Sequence, residues 1–214
     1  MKSNKWKFLL TGAATLTLLT ACSQASSQSA TTNATTTASI VKLSGSSATV
    51  SGDGVAVSGS TVTISKAGTY VISGESDGVQ IKVEAGDSDD VHIVLKGVTM
   101  TNTNAPISAT KAGHVYLTLA DGTTNTLSDS SSNNDEDADA VIFSKGDLTI
   151  NGSGTLNIDA KKNNGIKAND TLHITGGTYK ITAVGDAVNV NDELNITGTT
   201  MTIDANEDAV KVDN

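Results

Sequence analysis

Residues 164–177 read Asn-Gly-Ile-Lys-Ala-Asn-Asp-Thr-Leu-His-Ile-Thr-Gly-Gly, and residues 186–199 answer them as Asp-Ala-Val-Asn-Val-Asn-Asp-Glu-Leu-Asn-Ile-Thr-Gly-Thr. Both open on Asp or Asn, then Gly or Ala, then a β-branched residue. The same tripeptide begins at Asp53, Asp77, Asn104 (where Pro106 breaks it), Asp139 and Asp208. The last three intervals, 25, 22 and 22 residues, set a fixed period. A period of that length signals stacked units, with one residue type recurring at one corner of successive layers.

Within each unit three triplets recur. The first is Leu148-Thr149-Ile150, Leu172-His173-Ile174 and Leu194-Asn195-Ile196, each followed by a polar residue and Gly152, Gly176 or Gly198. The second is Leu156-Asn157-Ile158, Tyr179-Lys180-Ile181 and Met201-Thr202-Ile203. The third is Val141-Ile142-Phe143, Ile166-Lys167-Ala168, Val188-Asn189-Val190 and Val210-Lys211-Val212. Apolar outer positions share one face of a strand and the middle positions point the other way. Earlier stretches, Tyr70-Val71-Ile72-Ser73-Gly74 and Ile93-Val94-Leu95-Lys96-Gly97, fit the first frame more loosely, and Ser128 to Asp137 reads as an excursion from a corner. Three short strands per 22–25 residues without helical periodicity predict an all-β parallel β-helix, a solenoid, over residues 41–214. Leucine-rich and calcium-binding nonapeptide repeats are excluded, since neither consensus frame is present. The last repeat ends at Asn214 without a polar cap, so the repeat is expected to continue in a longer protein.

The opening segment reads as an export leader. Lys2, Lys5 and Lys7 precede an apolar run, Phe8 to Leu19, that is too short to span a bilayer. Leu19-Thr20-Ala21-Cys22 resembles a bacterial lipobox, making residues 1–21 a lipoprotein signal peptide and Cys22 the acylated residue. Cys22 is the only cysteine, so no intrachain disulfide forms. Two acyl chains at one residue suffice for stable anchoring. Residues 22–40 are rich in Ser, Thr, Ala and Gln and predict a flexible tether, which puts the folded part outside the cell membrane.

Beyond residue 21 the chain carries eleven lysines, twenty-three acids and no arginine, a net −12. That balance opposes nucleic-acid binding, which rests on cations along the phosphate backbone. The acids also cluster at the repeated corner. Equivalent residues in adjacent layers lie about 4.8 Å apart, and two carboxylates so spaced repel by roughly 3 to 4 kcal/mol at an effective dielectric near 20. Asp186 and Asp208 stand in that relation, with Asp204 and Glu207 nearby, Asp137 beside Asp139, and Asn164 as a neutral oxygen donor. Such donors suit a hard cation, and calcium is the expected one. The alternative is that Asp and Asn sit there as turn residues. A further ladder, Ser144, Asn169, Asn191 and Asp213, reads as structural.

The outward row Ile142, Lys167, Asn189 and Lys211 alternates cation and amide beside the acidic corner. Lys167, Asn189 and Lys211 offer donors to sugar hydroxyls or to a uronate carboxylate; the plainer reading is a solvated face. The few aromatics rule out a flat platform for crystalline polysaccharide, and Phe143 and Tyr179 read as core. His92, His114 and His173 do not fall in one register, so no nucleophile–base set can be nominated. No catalytic residue is assigned.

With its lipobox, tether and the frame at 164–177, the chain resembles bacterial surface proteins described as carbohydrate-binding domain-containing. The resemblance runs from about residue 50 to the end and is strongest over 139–212. It implies a pectate-lyase-like right-handed parallel β-helix that binds plant-type or acidic polysaccharide, with calcium at acidic corners, rather than cleaving it. Asp186 and Asp208 match the family's Asp before Gly-Ile, with Ala for Gly; at Asn164 the charge is lost. The rivals are a calcium-dependent polysaccharide lyase and a structural adhesin.

Overall fold

The computed structural model describes residues 37–133, 135 and 137–213. The leader, Cys22 and the tether through residue 36 lie outside them. Among the described residues every regular element is a strand. Two antiparallel pairs come first, β1 (Ser39–Gly45) with β2 (Ser47–Ser51), and β3 (Val55–Ser58) with β4 (Thr61–Ile64). Then follow β5 (Gly68–Asp77), β6 (Gln80–Glu84), β7 (Asp90–Thr101), β8 (Ile107–Lys111), β9 (His114–Leu119) and β10 (Thr124–Ser128). Beyond the excursion lie β11 (Ala140–Ser144), β12 (Leu148–Gly152), β13 (Thr155–Ala160), β14 (Asn164–Ala168), β15 (Leu172–Thr175) and β16 (Thr178–Ala183). The chain closes with β17 (Val188–Val190), β18 (Leu194–Thr197), β19 (Thr200–Ala205) and β20 (Lys211–Val212).

These strands make two sheets, which corrects the expected right-handed parallel β-helix solenoid. One sheet holds twelve strands in a curled half-barrel, its main path running β18-β15-β12-β9-β7-β10-β13-β16-β19; the other holds eight, ordered β20-β17-β14-β11-β8-β6-β4-β3. The hinge of the curl is β7, whose first half pairs with β9 and second half with β10. Gly74 and Gly97, which close the looser copies of the first frame, both adopt positive φ, 99° and 69°, and the chain bends there while remaining in the sheet. A register shift between Ile72 and Gly74 marks the same bend in β5. Glycine permits this conformation and the bulge bends the strand. The first and second triplet families therefore join in one sheet instead of lying in separate ones.

The inward positions fill one core. Leu148, Leu172, Ile158, Ile181, Ile166 and Val188 are all buried and belong to one apolar cluster between the sheets. The first two triplet families pair in the predicted register: Leu148 opposite Leu172 and Leu172 opposite Leu194, Leu156 opposite Tyr179 and Tyr179 opposite Met201.

The third family is displaced by one residue. Ala140 stands opposite Asn164 and Ile142 opposite Ile166, so Asp139 aligns with Asn163 and the interval there is 24 residues. The outward row is Phe143, Lys167, Asn189 and Lys211, with Ile142 turned to the core. Ser144 stands opposite Ala168, so Lys145, not Ser144, matches Asn169. Phe143 is buried, but in a separate cluster with Ala105 and Ala138, on the face opposite the main core. Ala138, the residue after the excursion, packs with the ring.

Candidate functional site

Along β11, β14, β17 and β20, the outward face of the eight-stranded sheet forms a groove of about 420 Å³ lined only by Asp, Glu, Asn and Lys. It collects Asp137, Asp139, Asn164, Asp186 and Glu207 from the corner and Lys167, Asn189 and Lys211 from the strands. The remaining two nominated residues lie elsewhere. Asp204 is on β19, beside a groove on the outer face of the curled sheet, and Asp208 is exposed beyond the rim. Asn169, Asn191 and Asp213, read from sequence as a turn ladder, line the same groove. Asn163 was not singled out; the one-residue shift that brings it opposite Asp139 is invisible without the strand register.

The corner is built by a relay of side chains to backbone. The Asp186 N–H donates to Asn164 Oδ1 at 3.2 Å, and the Asp208 N–H donates to Asp186 Oδ1 at 3.0 Å. Each acid or amide thus caps the backbone of the next repeat. Asp186 Oδ2 accepts from Asn189 Nδ2 at 2.7 Å, so both oxygens of this carboxylate, only 3% exposed, are engaged. Asp139 accepts from Asn163 Nδ2 at 2.6 Å and from Lys167 Nζ at 2.7 Å. Both partners of that ion pair are about one-fifth exposed, which shields it better than a surface pair. Among the described residues no three His, Cys, Asp or Glu side chains gather around a point that could hold a metal ion. The groove offers fixed acceptors and amides to hydroxyl groups, without a paired nucleophile and base.

Two other surface grooves are somewhat larger. One, of about 520 Å³, lies over Thr126, Asn157 and Lys180; the other, of about 580 Å³, lies between Lys111, Lys145 and Asp170. Neither holds a residue of the repeated acidic corner, and both include apolar side chains or glycine in their walls. The acid–amide groove is the only one of the three whose lining is polar throughout.

The curled sheet carries a second cluster. Contrary to the sequence reading, His92 and His173 share one row, His92-Tyr116-Thr149-His173. His92 stacks on Tyr116 with centroids 4.4 Å apart, and His114 covers the other face at 4.2 Å. His114 Nε2 lies 2.9 Å from Thr149 Oγ1. Burial holds the His114 imidazole below its usual range, against the pull of Asp147 and Asp90. With a phenol between them, His92 and His114 cannot share one metal ion, whose bonds to nitrogen are about 2 Å long.

Fold and groove together define an all-β repeat protein that displays an acid–amide surface suited to polyhydroxylated ligands. The chain belongs to the carbohydrate-binding domain-containing protein family, whose model matches residues 58–214. A carbohydrate-binding domain-containing protein of Acetivibrio thermocellus is 36% identical over 124 residues, 55% of this chain and 43% of the relative. The chain therefore spans less than half the length of that relative. The solved structure of a polysaccharide lyase-like protein from C. thermocellum, a gadolinium derivative, is similar with a TM-score of 0.80 and 34% identity, covering 83% of this chain and 75% of that one.

Proposed function

We propose that this protein binds polysaccharide without cleaving it, at the acid–amide groove, and does so outside the cell membrane on an acylated Cys22. The observation that carries this reading is the convergence of Asp137, Asp139, Asn164, Asp186, Glu207, Lys167, Asn189 and Lys211 on one outward sheet face of a carbohydrate-binding family member. The rigid sheet fixes these polar groups before a ligand arrives, which lowers the ordering cost of binding. Calcium enters the proposal as a bridging ion for acidic glycans. The groove supplies separated oxygens rather than a closed cage, so water and a glycan carboxylate would complete the shell.

The test is a glycan array probed with the full-length protein, with calcium and with chelator. The expected result is retention of a subset of glycans, weakened several-fold by Lys211→Ala or Asn191→Ala at the groove rim, each losing about one hydrogen bond. Unchanged retention in both variants would move the site off this face. A second reading, a polysaccharide lyase, is favoured by the similarity to a solved polysaccharide lyase-like protein. Lys167 is tied to Asp139, Lys211 lies 3.5 Å from Asp213 and arginine is absent from the whole chain, which leaves that chemistry without an unpaired strong base among the described residues of the groove. Incubation with polyuronates and calcium is expected to yield no unsaturated, ultraviolet-absorbing product; its appearance would replace binding by cleavage.

A further inference from the structure

The middle row of the acid–amide groove, Lys167, Asn189 and Lys211, stops at β11, where the next residue in register is Phe143, buried against Ala105 and Ala138. A neighbouring row does not stop there. The Asp213 N–H donates to the Val190 carbonyl, Asn191 to Ala168, Asn169 to Ser144 and Lys145 to Ala109, all between 2.8 and 3.1 Å. The same rung recurs at each strand, so Lys145, Asn169, Asn191 and Asp213 are equivalent positions directly after β11, β14, β17 and β20. Asn169, Asn191 and Asp213 line the acid–amide groove, and Lys145 lines the groove of about 580 Å³ beside it. The two grooves adjoin at Asn169 and Asp170, consecutive residues that line one each.

Charge changes along this row. Lys145 is exposed and has no carboxylate within ion-pair distance among the described residues. Lys111, in the same groove, stands 3.6 Å from Asp87 with both side chains more than half exposed, a pair weak enough for a ligand carboxylate to displace. Asp170 is the other acid of that lining, so acids and lysines balance there, whereas Asp186, Glu207 and Asp213 leave acids in excess toward β20. A carboxylated glycan lying along the row meets ammonium donors at the Lys145 end and amides in the middle, and needs a bridging cation only toward β20. Three strand steps of about 4.8 Å separate Lys145 from Asp213, roughly 14 Å of repeating polar surface for a ligand that itself repeats.

We propose that the glycan-binding face continues from the acid–amide groove past Asn169 onto Lys145 and Lys111, and that these two lysines take the carboxylates of an acidic polysaccharide directly, without calcium. This deepens the reading of the groove as a glycan site and rests on it. The experiment measures affinity of the full-length protein for oligogalacturonate, with calcium and with chelator, beside a neutral oligomer of glucose. In chelator, Lys145→Gln combined with Lys111→Gln is expected to weaken oligogalacturonate binding about tenfold and to flatten its salt dependence, with the neutral oligomer unaffected. Both positions are exposed, and an unchanged unfolding midpoint confirms an intact fold. Unaltered uronate affinity in the double variant, with Asn191→Ala still weakening it, would overturn the inference and leave the groove standing. An equal loss for the neutral oligomer, or wild-type binding of uronate only when calcium is present, would overturn it in the same way. Retention of neither oligomer by the wild-type protein would remove the glycan reading and this inference with it.

Discussion

Tyr179 occupies the inward position of β16 that Leu156 holds in the repeat before it and Met201 in the repeat after. Its neighbours in register are apolar, and the phenol is 1% exposed. The hydroxyl oxygen is buried with no hydrogen-bond partner among the described residues, and burial pushes the phenol up to about 12. An orphaned buried hydroxyl carries a desolvation penalty of about 1 to 3 kcal/mol. Tyr179→Phe keeps the ring and removes the penalty. It is expected to raise stability by about 1 kcal/mol in urea unfolding, a few degrees in midpoint for a chain of this size. A loss of similar size would mean the oxygen has a partner, such as an ordered water. That Tyr179 faces the core was legible in the triplet frame. Its orphaned oxygen was not, because sequence records a residue's face and not what lies opposite the far atom.

At the scale of the element, the corner before β17 works as a splice between repeats. Asp186 receives the Asp208 N–H from one side and the Asn189 amide from the other, and passes its own N–H to Asn164. Asp186→Ala strips two donors of their acceptor, one of them belonging to the buried Asn189, and is expected to cost about 2 to 3 kcal/mol. Asp208→Ala is expected to cost under about 0.5 kcal/mol, because Asp208 is exposed and no side-chain hydrogen bond of its carboxylate is present among the described residues. Paired urea titrations check this; equal losses would mean that the ladder does not splice the repeats. The ladder from Asn164 to Asp208 was legible because two equal intervals fixed its phase. The step at Asp139 was not. The excursion before β11 breaks the period: tripeptide spacing sets Asp139 opposite Asn164, whereas the strands set it opposite Asn163. A one-residue slip reverses which side chains face out, which is why Ile142 was read in a row that belongs to Phe143.

Over the whole molecule, the triplets located the strands but not their assembly. Whether neighbouring triplets lie in one sheet or two depends on whether the chain bends or stops at a glycine, and Gly74 and Gly97 read alike in either case. Charge is also a property of this scale. The chain carries a formal −9 with no arginine to form forked pairs, and the six ion pairs among its described residues are mostly exposed. Self-repulsion of this kind destabilises the folded state and is relieved by salt. Raising sodium chloride from low to moderate concentration is therefore expected to lift the thermal midpoint by a few degrees. Calcium chloride at matched ionic strength separates general screening from a built ion site. A site held at a hundredfold excess over its dissociation constant adds about 2.7 kcal/mol, a shift far larger than any mismatch in screening. Because no three acids of the groove gather around one point among the described residues, the two salts are expected to give the same midpoint in the absence of glycan. An additional rise with calcium, reversed by chelator and lost in Asp139→Asn or Glu207→Gln, would show that the acidic corner closes on an ion by itself.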